Sequence, residues 1–390
     1  MNDLTCKCVS GLDGVSTAEL GQLFPAPSIA APLFSLLQES GIDGFNLRSI
    51  VVFKDDAPIL LLPLFETRFD LSTFVDGWIK KSLKVAGRLI PSVFHPRVLS
   101  VGSVAGEWSE IGIDPRIDQV TFEEAFKIAL DTVQTLAAEL KSDIVALFNF
   151  NHYSKLPADV FNKFNRVQYR SCALLPINFN SMEEYLGHLS SATRKNLRRK
   201  MRIAPQVRVI RSHTISLFLD RIYTLYLETV ARSPMSLGVH KRLFFEEICN
   251  KVPGAEFTLY FVQEELVAFN LLVVKQEVML DKLFCMDYGL GRKYNLYVLS
   301  WLENIRTCVE QKIPLYNAGQ GTEKTKAHLG ATLVPSFILF KHRRPVFDRL
   351  LFWHSEVTNN ILSLLGFWPD AKAFNTVAQK GETEIHDRSN

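Results

Sequence analysis

The stretch YNAGQGTEKTKAHLG, from Tyr316 to Gly330, reads as a short strand, a turn with Gly319 and Gly321 one residue apart, and the start of a helix. A G-x-G turn between a strand and a helix exposes backbone amides on one side. Glu323 and Lys326 are three apart and share a helical face. Glu323 is then a candidate proton acceptor and Lys326 a candidate partner for a carboxylate or phosphate. The competing reading is a helix capped by Thr322, with Glu323 and Lys326 as a solvent pair.

Upstream, EFTLYFV, LVAFNLLVV and VMLDKLFCMDY are strand-like runs joined by the short turns QEE and KQE, as in an antiparallel meander. The loop MDYGLGRKYN (Met286 to Asn295) follows, then a helix from Asn295 to Gln311. Asp281 interrupts an apolar strand; buried in a cleft, such a carboxylate has a raised pKa and serves as a base, whereas alternation also lets it face water beside Lys282. Downstream come a strand from Ser336 to Lys341 and a long apolar helix from Val346 to about Leu365. That helix either packs on the sheet or lies on a membrane surface as a peripheral contact.

Further out, Ser181 to Met201 reads as one helix, Gln206 to Ile210 as a strand, and Ile215 to Arg232 and Lys241 to Lys251 as helices. Before them lie a helix at residues 27 to 42 and a hairpin, SIVVF and ILLLPLFET about the turn DDAP. Strands and loops at 93 to 115, a helix from Phe122 to Leu140 and the buried strand DIVALFNF complete the first part. This order gives an α/β protein of α+β arrangement. Two lobes are expected, residues 1–160 and 161–374, each a mixed, largely antiparallel sheet flanked by helices, with a polar tail at 375–390. A linker falls around residues 151 to 165, and the two lobes repeat one order without residue-level repetition.

Composition narrows the function. The chain has 390 residues, 47% hydrophobic and 22% charged, too long for one compact core. A net charge of +3 does not by itself argue for nucleic acid. The start, MNDLTCKCVSGLDG, lacks the layout of a secretion signal, and no apolar run reaches the ~20 residues of a membrane span. The six cysteines have no metal-ligand spacing, so free thiols, a cytoplasmic setting and no metal are expected. G-x-S-x-G, H-E-x-x-H and Walker A motifs do not occur.

Three stretches carry a family resemblance: YLGHLSSATRKNLRRKMRIA (Tyr185 to Ala204), RIYTLYLETVARS (Arg221 to Ser233) and the segment quoted first. In that order they resemble the FemAB-like acyltransferases of the GNAT superfamily, as does HPRVLSVGSVAGEWSEIGIDP (His95 to Pro115) in the first lobe. Gly319, Gly321, Lys326 and Gly330 fall at the family's spacing, while Asn317 and Thr325 depart from it. The resemblance implies two GNAT-like lobes and an N-acyltransferase moving an acyl group from acyl-CoA to an amine or hydroxyl. The acceptor is then a small molecule or a cell-wall precursor.

It further implies that the helix after MDYGLGRKYN receives the pyrophosphate at its N-terminus. Gly289, Gly291, Arg292, Lys293, Tyr294 and Asn295 become the cofactor-binding candidates, although Met286 departs from the usual Gln or Arg. Glu323, Lys326 and Asp281 are the catalytic candidates, and Asn317, Gln320, Tyr226 and Arg198 the substrate-binding ones. The basic run TRKNLRRKMR (Thr193 to Arg202) leaves an aminoacyl-tRNA donor as the alternative, and a non-catalytic binding protein as a third reading.

Overall fold

The computed structural model describes residues 4–69, 95–233 and 238–349. Its strands are β1 (Leu4–Ser10), β2 (Phe45–Lys54), β3 (Ala57–Arg68), β4 (Arg97–Val101), β5 (Gly112–Ile113), β6 (Ile144–Phe150), β7 (Asn165–Pro176), β8 (Arg208–Ser212), β9 (Ala255–Val262), β10 (Glu265–Val274), β11 (Met279–Met286), β12 (Leu315–Gln320) and β13 (Thr332–His342). The helices are α1 (Thr17–Leu23), α2 (Ala30–Ser40), α3 (Gln119–Glu139), α4 (Val160–Lys163), α5 (Met182–His188), α6 (Ser191–Met201), α7 (Leu219–Arg232), α8 (Arg242–Lys251), α9 (Tyr288–Lys293), α10 (Leu296–Gln311) and α11 (Glu323–His328).

All the strands join one sheet in the order β1-β2-β3-β4-β6-β13-β7-β12-β11-β10-β9-β8, with β5 on β3. The pattern of directions reads the same from both ends. Three antiparallel pairs lead inward to a parallel pair, β4 with β6 on one side and β11 with β12 on the other. Between them β13 and β7 pair antiparallel, Thr332 opposite Leu174 and Phe340 opposite Asn165. Each half of the sheet is completed by a strand from the other end of the chain: β13 adds to β6, and β7 adds to β12. The two GNAT-like lobes are thus fused into one sheet.

Local chemistry explains the matching halves. The β2–β3 turn places Asp55 and Asp56 at φ of 51° and 62°, and the β9–β10 turn places Gln263 and Glu264 at 48° and 67°. Two consecutive left-handed residues form the tight hairpin that matches strand twist. Asp118 caps α3, accepting from the Thr121 amide at 2.7 Å. The Phe122, Phe126, Leu130 and Val133 stripe of α3 covers β2, β3, β4 and β6. In the other half, α7 and α8 cover β9 and β10, and Leu33, Leu36 and Leu37 of α2 join that same core. Burying each such side chain contributes roughly 2 kcal/mol. The halves are therefore tied by a shared core as well as by β7 and β13.

Several elements differ from the sequence expectation. The helix read from Ser181 to Met201 is two, α5 and α6, because Leu189 is extended and Ser190 caps the second by accepting from the Thr193 amide. The stretch read as the loop MDYGLGRKYN contains α9, capped by Asp287. The region read as a linker holds α4, and β7 begins at Asn165. The opening residues form β1 and α1, the latter started by a Ser16–Glu19 capping box. Of the apolar helix read from Val346 to Leu365, only residues 346–349 are described and are helical; the rest, with the polar tail at 375–390, lies outside the described residues.

Candidate active site

The parallel pairs are where the sheet opens. β11 and β12 pair only through Met279 with Tyr316 and Leu280 with Asn317. Gly319 then turns β12 at φ 68°, and a β-carbon there would stand 3.0 Å from the Asp281 carbonyl oxygen. From Asp281 onward β11 has no strand partner on that side among the described residues. The opening leads into a cavity of about 210 Å³. Val104 to Glu107 of the first half form one wall; His240 and Phe244, then Asp281 to Leu283 of β11, then Gly319 and Gln320 of β12 form the others.

Lys282 and Glu107 face each other across this wall. The Lys282 ammonium donates to Glu107 Oε1 at 2.8 Å and to the Ala105 carbonyl at 2.5 Å. Their side chains are only 6% and 12% exposed, so the attraction is little screened by water. His240 is held by its backbone, whose N–H donates to the Tyr226 hydroxyl at 2.8 Å, and by a bridge to Ile42 of the first half. Its ring stacks on Phe244 with centroids 4.2 Å apart and planes 12° apart. Nδ1 of His240 is shut off from solvent and has no hydrogen-bond partner. Burial, with the charge of Lys282 adding to it, brings the imidazole down to about 4, so the ring is neutral at physiological pH.

Asp281 belongs to a different network. Its carboxylate accepts from Asn270 Nδ2 at 2.7 Å, from the Tyr316 hydroxyl at 2.8 Å and from Asn304 Nδ2 at 3.3 Å. Burial raises its pKa, opposed in part by the charge of Lys326 and by these donors. The carboxylate is thus tied into a hydrogen-bond network and is not left free in the cavity. Lys326 is buried too, and its ammonium donates to the carbonyls of Ala318, Gly319 and Gln320 at 2.6, 3.2 and 3.1 Å. All three of its hydrogens are spent on β12. Burial lowers its pKa, with Asp281 acting in the opposite sense. Lys326 therefore shapes the turn at Gly319 and is not one member of a solvent pair.

The remaining predicted residues divide. Gln320 lines the cavity, donating to the Glu107 carbonyl at 3.0 Å and to Asn149 Oδ1 at 2.7 Å. Tyr226 adjoins it through His240, its hydroxyl pushed up to about 12 by burial. Asn317 is buried and accepts from the Cys172 thiol and the Gly319 amide, which bends the strand. Glu323 opens α11 away from the cavity wall. Thr322 has no side-chain capping bond and pairs with the Tyr297 hydroxyl at 2.8 Å. Arg198 is exposed on α6.

The loop expected to lead into the phosphate-binding helix contains a short helix of its own, and the helix expected to receive the phosphates is α10. Asp287 caps α9, and its carboxylate accepts from the Leu290 amide at 2.8 Å, the place an anion would take. Gly291 is buried, and a β-carbon would stand 2.3 Å from Met286 Sδ, so packing already demands this glycine. Arg292 and Lys293 are exposed, Tyr294 is buried, and Asn295 takes φ 53° at the junction with α10. The weak bond of Asn295 Nδ2 to the Lys200 carbonyl, 3.4 Å, brings the end of α6 beside these cations.

Glu107, Lys282 and His240 line the cavity and Asn149 bonds to Gln320 on it, and sequence reasoning passes over all four. Lys282 stands beside Asp281 in an apolar strand, which is a signal; nothing in the sequence joins it to Glu107, 175 positions away. Among the described residues no group of three or more His, Cys, Asp or Glu is placed to hold a metal ion, and no helix is long and apolar enough to cross a membrane.

With this geometry in hand, comparison with known proteins is informative. The FemAB-like family model, described as peptidoglycan biosynthesis/recognition, matches residues 115–355. No curated protein matches the sequence. Among solved structures, the C-terminal domain of an Agrobacterium fabrum protein provisionally named a lysylphosphatidylglycerol synthetase is similar at 11% identity. It covers 86% of this chain and 95% of its own, with a TM-score of 0.51. A tandem GNAT protein from the clavulanic acid biosynthesis pathway is similar at 11% identity, covering 88% and 99% with a TM-score of 0.50. At such identities the likeness is one of fold.

Proposed function

The chain belongs to the FemAB-like family, and from that premise we propose that it is a transferase moving an acyl group from an acyl-CoA thioester to an amine. The observation that carries this reading is the parting of β11 from β12 after two residue pairs. A strand edge left with unpaired amides and carbonyls accepts an extended chain bearing amides of its own, as an added strand would. A pantetheine arm has that form, and the cavity at the end of the opening receives the acceptor.

In the reaction the amine nitrogen attacks the thioester carbonyl carbon, a C–N bond forms and the C–S bond breaks. Of the three hydrogens of an incoming ammonium, one leaves to solvent, one goes to the departing thiolate and one stays in the amide. Backbone N–H groups on the free edge of β11 are suited to the transient oxyanion. Asp287 occupies the start of α9, so the phosphates of the donor fall to the start of α10, beside the side chains of Arg292 and Lys293.

The test is a thermal-shift screen against acetyl-, longer acyl- and free coenzyme A, coupled to an assay of thiol release in the presence of amines. A bound thioester raises the melting temperature with the logarithm of its excess; no shift with any thioester overturns the donor. A second reading, an aminoacyl-tRNA donor, is favoured by one observation: Lys195, Arg198, Arg199 and Arg202 are exposed along α6, next to Arg292 and Lys293. Binding of aminoacyl-tRNA that weakens steeply with salt supports that donor instead.

A further inference from the structure

The cavity wall carries two opposite charges, each with a bonding position its partner leaves unused. A lysine ammonium has three hydrogens, and Lys282 uses two of them, on Glu107 Oε1 and the Ala105 carbonyl. Glu107 engages Lys282 through Oε1, while Oε2 has no hydrogen-bond partner among the described residues. His240 lines the same cavity, but its Nδ1 is shut off from it, and the ring is held in that pose by its stacking on Phe244 and the bond of its backbone to Tyr226. Of the other charged groups nearby, Lys326 spends all three hydrogens on β12 and Asp281 accepts three bonds within its own network.

A ligand with a single charge satisfies one member of the Lys282–Glu107 pair and leaves the other desolvated. A ligand carrying a donor and a carboxylate a few ångströms apart satisfies both. The space sets its size. About 210 Å³ corresponds to roughly seven water volumes, room for a molecule of a free amino acid's size. Val104, Phe244 and Leu283 supply apolar wall for a short side chain.

We propose that the cavity takes the acceptor as an amino-acid-sized zwitterion, its ammonium at Glu107 Oε2 and its carboxylate at the remaining hydrogen of Lys282. This rests on the acyl-transfer reading for the role of the ligand, and it specifies the acceptor class that reading leaves open. The neutral imidazole suits the arrangement, since a protonated ring would repel an ammonium.

The experiment measures binding without any donor, using the full chain and the standard α-amino acids, with n-butylamine and butyrate as single-charge probes. At least one amino acid is expected to raise the melting temperature and give a saturable heat of binding, and neither probe is. Neutralising the pair together, Lys282→Met with Glu107→Gln, keeps its bulk and is expected to abolish the binding. Absence of binding by every amino acid, equal binding of n-butylamine, or full binding by the neutralised pair overturns the proposal. The two readings fail separately. Amino-acid binding with no thiol release from any thioester overturns the transfer reading alone, and thioester binding with no amino-acid binding overturns the zwitterion alone.

Discussion

The two parallel pairs of the sheet begin alike and end differently. β4 and β6 pair from Val98 with Ile144 to Val101 with Leu147, and β11 and β12 through Met279 and Leu280 alone. Beyond its pair, the first half folds its own chain over the end of β6. Ser109 donates its amide to the Asn149 carbonyl, and the Asn149 side chain donates to the carbonyls of Gly106 and Glu107. Asn149 Oδ1 accepts from Gln320 and Ser336, so the plug is also fastened to the other half. Among the described residues the second half has no such plug, and its opening continues into the cavity. One architecture thus supplies a closed copy and an open copy, and the closed copy lends Glu107 to the open one. What separates a scaffold from a site here is ten residues of loop, not a different fold.

That contrast can be broken in several places. The largest effect is expected from Lys326→Met, which leaves three β12 carbonyls without their buried donor and should cost about 3 kcal/mol in urea unfolding. Next comes the pH response of His240. Its folded pKa of about 4 lies below the unfolded value near 6.5, so the unfolded chain binds the extra proton in that window. Stability is fully present above pH 6.5 and is lost as pH falls toward 4, by ~3 kcal/mol in all. Melting temperature against pH should show this loss in the wild type and much less of it in His240→Phe.

Gly319→Val should follow, since its β-carbon meets the Asp281 carbonyl at a φ that valine resists. Forcing the open pair out of register is expected to lower kcat/KM about 100-fold in the thiol-release assay. Asn149→Ala tests the plug. Losing its bonds should cost about 1–2 kcal/mol in the same unfolding assay, and should raise KM for the acceptor more than for the donor because Glu107 shifts. The smallest effect belongs to the Lys251–Glu39 pair between α8 and α2, which is partly exposed on both sides. Glu39→Gln should change stability by no more than about 0.5 kcal/mol, less at high salt.

Much of the fold is legible in the sequence because it rests on local signals. The hairpin turns at Asp55–Asp56 and Gln263–Glu264, the α3 stripe and the α11 span from Glu323 to His328 are all set by neighbours within a few residues. The break at Leu189 and the helix at Tyr288 are missed because Ser190 and Asp287 act as caps inside runs with helical or loop composition. The exchange of β7 and β13 is invisible for another reason: a strand's partner is not encoded next to it. The site suffers most from this. Lys326 has the spacing of a surface residue and the environment of a buried one, and the Lys282–Glu107 pair is made only when the two halves meet.

The exchanged strands also bear on how this chain must be made. β6 is complete by Phe150, yet the strand that covers its outer edge ends at His342. A ribosome adding about 5–20 residues per second therefore leaves that edge uncovered for roughly 10 to 40 seconds. An uncovered edge rich in Leu, Phe and Val is a template for pairing with another nascent chain. The long-range closure by β13 is slow in itself. Yield during synthesis should thus depend on translation rate and chaperone supply more strongly than the finished protein's stability suggests.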